Sequence, residues 1–168
     1  NANTLMGYMD HDPYNFILNH SGQDLKPLHS FVHRTFNGID CVYFIKALNH
    51  IYKKHNGLEA VFTKNAEADK PDTLTYISSF RNIFFELPEY VSRTEKHVSN
   101  PEKGSSAKRL NMFLRWMVRK DNCGVDFGIW NTISPARLVC PLDVHTGNVG
   151  RKLGLLNRTQ NDWKSAME

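Results

Sequence analysis

Apolar residues along most of this chain recur at intervals of three and four, the period of a helix that buries one face. The clearest run starts at Asp40, where Val42, Phe44, Ile45, Leu48, Ile51 and Tyr52 predict a helix ending near Asn56-Gly57. A second stripe, Leu74, Ile77, Phe80, Ile83 and Phe84, predicts a helix over 74–85, capped by Asp72 and closed by Pro88. Shorter helices are expected around Leu5, Met6 and Met9, from Pro13 to Leu18 behind Asp12, from Pro27 to His33, and over Leu58 to Phe62. Asn37-Gly38 reads as a turn.

In the second half, residues 107–119 are helical throughout, with Leu110, Phe113, Leu114 and Met117 facing inward. Residues 122–131 carry two glycines and predict a loop with an extended piece, and Ser134-Pro135 starts a further helix. Asp143 is placed to cap a helix that ends at Gly154. Few stretches alternate with a period of two, so the expected fold class is all-α. Phe44, Phe80, Phe84 and Phe85 are expected to be packing residues.

Composition narrows the class. The 168 residues suffice for one domain, taken as 1–168, and 40% hydrophobic with 23% charged residues is a globular balance. The chain opens on Asn1 without a methionine and closes at 161–168 on the start of a helix, the pattern expected of a fragment incomplete at both termini. Cys41, Cys123 and Cys140 are odd in number and form no CxxC pair, which argues against a disulfide framework, a zinc knuckle or an iron–sulfur motif. No apolar run reaches bilayer length, and no basic start followed by an apolar core marks a secretion signal. A cytoplasmic protein without a membrane partner is expected.

The net charge of +4 matters less than its placement. Lys103, Lys108, Arg109, Arg115, Arg119 and Lys120 crowd one segment that holds no acid between Lys103 and Lys120. Such a field suits a polyanion, although a solvated helix face is the commoner explanation of a charge cluster. Lys108, Met112, Arg115 and Arg119, spaced four, three and four apart, share one helix face. The lead-in Lys103-Gly104-Ser105-Ser106 is small enough for backbone amides to approach a phosphate at the positive end of the helix dipole, or is an ordinary serine cap. Asp143 is an N-cap by position, and a carboxylate held there stays ionised, as a group beside a developing sugar cation must.

Two resemblances rest on these residues. Gly104-Ser105-Ser106-Ala107-Lys108 resembles the Gly-x-Gly-x-Lys hairpin of the helix-hairpin-helix DNA glycosylase superfamily, and Leu142-Asp143-Val144-His145 followed by Val149 resembles its Val-Asp-x-His-x-x-x-Val element. Lysine precedes aspartate, as in that superfamily. More specifically, SSAKRLNMFLRWMVRKD, VDFGIW, PLDVHTG and HRTFNGID resemble a bacterial family of undetermined function, over most of the chain.

The glycosylase resemblance implies a helical DNA-glycosylase-like domain with a degenerate hairpin, DNA as partner, and base-excision chemistry without a cofactor. Lys108 would be the amine that attacks the sugar C1′ and forms a Schiff base, and Asp143 would stabilise the oxocarbenium-like sugar. The lysine must lose its proton, which burial beside Arg109 or Arg115 would favour. Lys103, Gly104, Ser105, Ser106, Arg109, Arg115, Arg119 and His145 would meet the nucleic acid, and Trp116 or Trp130 would line a pocket for the extruded base. The sequence departs from the pattern at Ser106, which replaces the second hairpin glycine, and in the long segment between Lys108 and Asp143.

Other chemistries have less support. His29 and His33 lie four apart on an expected helix, a spacing that can share a zinc ion, but no third ligand is indicated, and no metal is expected. The alternative of another class is a non-catalytic nucleic-acid-binding module using the basic helix 107–120.

Overall fold

The computed structural model describes residues 2–65 and 72–168. Helices dominate, and among the described residues the strands form a single two-stranded ribbon. Packing divides the chain into two compact units, residues 1–61 with 82–97 and residues 62–81 with 98–168.

The first unit is organised by α3 (Gly38–Lys54), preceded by α1 (Ala2–Tyr8) and α2 (Pro13–Asn19). Asp12 and Pro13 start α2 as their sequence positions predict, with the Asp12 carboxylate accepting from the Asn15 amide at 3.1 Å. Asn49 of α3 donates to the Ile17 carbonyl at 2.6 Å, so α3 satisfies backbone that the end of α2 leaves open. Met9, Ile17, Leu25, Leu28, Phe31, Cys41 and Ile45 form one buried hydrophobic cluster of this unit.

The region before α3 departs from expectation. Pro27–Ser30 is one turn of 3-10 helix, after which Val32–His33 (β1) pairs antiparallel with Phe36–Asn37 (β2). Arg34 takes φ 58° in the intervening turn. His29 and His33 therefore lie on different elements, and the four-residue helical spacing for a shared zinc ion does not exist. Asn37-Gly38 is also no turn: Asn37 caps α3 in a reciprocal box with Asp40. A Cβ on Gly38 would fall 2.1 Å from the His29 carbonyl oxygen, so glycine is required for the close approach of backbone to backbone.

Asp40 is fully buried and collects partners from the 3-10 helix Ser92–His97. Arg93 donates to Oδ2 at 2.7 Å, the Thr94 hydroxyl to Oδ1 at 2.9 Å, and His97 Nε2 lies 3.1 Å away. Burial pushes the carboxyl up, but the hydrogen bond from the Asn37 amide, then that from Thr94 and the charges of His97 and Arg93, outweigh it and leave its pKa below the ordinary value.

α4 (Leu58–Thr63) and α5 (Thr73–Phe84) contribute residues to both units. Asp72 starts α5, as expected, by accepting from the Thr75 amide at 2.8 Å. Of the expected packing phenylalanines, Phe80 and Phe84 are buried, while Phe44 and Phe85 are half-buried.

The second unit is built on α6 (Lys108–Val118), with α7 (Val144–Lys152), α8 (Trp163–Ala166) and a 3-10 turn at Pro135–Arg137. Phe62 stacks on Phe80 at 4.6 Å, and Phe113 and Trp130 complete an aromatic group with Phe62. The loop after α6 folds back: Lys120 bridges Phe127, and the amides of Phe127 and Trp130 donate to the carbonyls of Trp116 and Met117 at 2.7 and 2.9 Å. The extended piece expected in 122–131 thus satisfies the open carbonyls at the end of α6. Among the described residues, no helix is long and apolar enough to cross a membrane.

Candidate functional site

The start of α6 is shaped by two left-handed residues. Gly104 has φ 87° and Ala107 has φ 47°. Space around Gly104 is open to a Cβ, so its backbone angle, and not a close approach, favours glycine there. Ala107 is buried at the N-cap position, and no side chain caps α6. An uncapped helix start presents amides to an anion.

The two serines have separate tasks. The Ser105 hydroxyl accepts from the Ala107 amide at 3.2 Å. Ser106, which stands where the hairpin pattern has glycine, donates its hydroxyl to the Leu142 carbonyl at 3.2 Å, and its own carbonyl accepts from Asn111 Nδ2 at 2.9 Å. Ser106 therefore joins the lead-in of α6 to the residue before Asp143.

Asp143 caps α7 as its position predicts. Its Oδ1 accepts from the Thr146 amide at 2.9 Å, and its own amide donates to the Thr146 hydroxyl at 2.8 Å. The other oxygen, Oδ2, meets Lys108 Nζ at 2.5 Å. The hydrogen bond from Lys108, followed by those from Thr146, holds the carboxyl far below the ordinary carboxylate range. The aspartate is thus fixed as an anion by a capping box on one oxygen and an ammonium on the other.

The surroundings of Lys108 differ from expectation. Its side chain is 45% exposed and its partner is a carboxylate, so the amine is not buried. Lys103, Arg109 and His145 are exposed. Arg115 and Arg119 both turn to Asp126, a buried carboxylate 3.3 and 3.6 Å away, so the cationic row is partly neutralised from beneath. Arg115, Arg119, Pro135 and residues 138–141 line a cleft of about 390 Å³.

The tryptophans separate. Trp116 is exposed on α6, whereas Trp130 is 8% exposed, with Phe113 edge-on at 5.5 Å. Trp130 is a core residue, which corrects its assignment to a base pocket: its ring is already covered by aromatic neighbours. The buried stripe of α6 is also shifted, to Asn111, Leu114 and Val118, with Leu110, Phe113 and Met117 half-buried.

Sequence reasoning missed Ser106 as a tie, Asn111 as a buried polar strut, Thr146 as the box partner and Asp126 as the counter-charge. Thr146 was accessible, because a hydroxyl three residues after an N-cap is a box position. Asp126 carried no such mark. Gly147 in α7 is another: a Cβ there would lie 2.3 Å from Asn161 Oδ1. Side chains able to hold a metal ion converge in the first unit, at His50, His55 and Glu86.

The chain belongs to the family described as "Protein of unknown function (DUF2400)", which it matches over residues 1–168. No curated protein and no solved structure matches it.

Proposed function

We propose that this chain binds DNA and acts on the sugar of a damaged or abasic nucleotide, as a DNA glycosylase with strand-nicking lyase activity on a glycosylase-like helical fold. The observation that carries the reading is the 2.5 Å contact between Lys108 Nζ and Asp143 Oδ2, groups 35 residues apart at the starts of α6 and α7. In this reading an approaching phosphate is received by the open amides of α6 and by Arg109. The Lys108 nitrogen forms a bond to C1′ as the glycosidic bond breaks, and the departing base takes the bonding pair and the proton that the nitrogen gives up. Asp143, held ionised, faces the positive charge that develops on the sugar. Ser106 keeps the two in register.

Borohydride trapping on duplexes carrying an abasic site or a base lesion tests this. A covalent adduct is expected with the unaltered chain. It is lost in Lys108→Ala, and in Asp143→Asn it falls by at least about 100-fold while DNA affinity and thermal stability stay nearly unchanged, since asparagine also caps a helix. No adduct across a broad lesion panel overturns the lyase reading.

A second reading, DNA binding without chemistry, is favoured by the pairing of Lys108 with a carboxylate in an exposed setting. It expects salt-sensitive binding and no adduct.

A further inference from the structure

The first unit contains a convergence of ligand atoms that the proposed function does not use. His50 lies in the last turns of α3, His55 ends that helix, and Glu86 follows α5. His50 Nε2 and Glu86 Oε1 are 2.5 Å apart, His55 Nε2 and the same oxygen 3.1 Å, and the two Nε2 atoms 3.1 Å. The imidazoles meet edge to face with centroids 4.9 Å apart. Hydrogen bonding alone accounts poorly for this triangle, because it sets two ring nitrogens against one carboxylate oxygen and against each other. A point roughly 2 Å from all three atoms exists above the triangle, and that is the bond length of zinc to imidazole nitrogen and carboxylate oxygen.

We propose that His50, His55 and Glu86 bind a divalent transition-metal ion. Two imidazoles and one carboxylate suit zinc, iron or nickel better than calcium or magnesium, which take oxygen ligands. The histidine side chains are 25% and 19% exposed and the glutamate 41%, so the ligands are partly shielded and one side stays open to water or a further ligand. The ion would fix the end of α3 against the residue following α5.

The test uses the full chain after treatment with chelator. Titration with Co²⁺, followed by its visible absorption, and calorimetry with Zn²⁺ are expected to show one ion bound per chain. His55→Asn and Glu86→Gln are expected to weaken binding by at least about tenfold, the scale on which even outer partners of metal ligands act. His29→Asn, an exposed histidine on another element, leaves binding unchanged. Circular dichroism of the metal-free variants verifies that they fold. Histidine-ring NMR of the unaltered chain reads the same contact independently of mutation, with Nε2 of His50 and His55 shifting on Zn²⁺ addition. Absence of saturable binding, equal affinity in the folded variants, or unshifted His50 and His55 resonances overturns the proposal.

Discussion

Asp40 and Asp143 both take part in capping boxes, yet their surroundings give them different work. Asp40 is fully buried and its charge is met by Arg93, Thr94 and His97. Removing one partner of a buried pair strands the others, so Asp40→Asn is expected to destabilise the fold by about 3 kcal/mol, the lower end for such a change because Arg93 is one-third exposed. The pH dependence follows from the lowered pKa. Stability from the ionised carboxylate is fully present above the unfolded value of about 3.9 and is lost as pH falls through the lower folded value. Acid titration of the unfolding midpoint should therefore show a steeper loss below pH ~4 in the unaltered chain than in Asp40→Asn; parallel curves would contradict this. Asp143 lies at the surface, and its second oxygen is spent on Lys108. Its charge is set by local contacts that a single substitution can alter without emptying a core.

At the scale of elements, α7 is held by what lies against its third turn. Arg151 donates to the Arg158 carbonyl at 2.6 Å and to Asn161 Oδ1 at 2.7 Å, and Gly147 leaves room for that asparagine. Glycine inside a helix ordinarily costs about 1 kcal/mol against alanine. Here the added methyl would displace Asn161, at a cost of about 1–3 kcal/mol, so Gly147→Ala is expected to lower stability. In an Asn161→Ala background the same substitution should raise it, and urea unfolding of the four chains checks the reversal of sign. The main helices were legible because α3, α5, α6 and α7 each show helical periodicity or a cap: Asp72 and Asp143 cap where their residue type and position predict. The segment between Pro27 and Gly38 was not, because two-residue strands are too short to show a period of two, and Asn37 serves as a cap where Asn-Gly usually marks a turn. Asn111 illustrates a different blind spot: a polar residue enters the buried stripe of α6 because Ser106 offers it a carbonyl, a pairing invisible in the pattern of apolar positions. Lys108 and Asp143 could be named from their motifs, but their direct contact could not.

For the molecule as a whole, a net charge of +4 is modest, and DNA affinity depends on which cations remain free to meet phosphate. Each phosphate contact contributes about 0.9 to the slope of log affinity against log salt. Arg109 is exposed, and its replacement by alanine should lower the slope by about one contact. The Lys108–Asp143 pair carries no net charge, so removing both charges together, in Lys108→Ala with Asp143→Asn, should barely change the slope while abolishing the trapped adduct. Arg115 and Arg119 share the single buried charge of Asp126, so the trio offers DNA about one net positive charge, not two. Arg119→Ala should then remove nearly all of that contribution and leave Arg115 paired beneath the surface. Salt titrations of Arg109→Ala, the double variant Lys108→Ala with Asp143→Asn, and Arg119→Ala on one duplex separate these cases: a large loss of slope in the double variant would make Lys108 a phosphate contact and remove the electrostatic reason to assign it to the sugar.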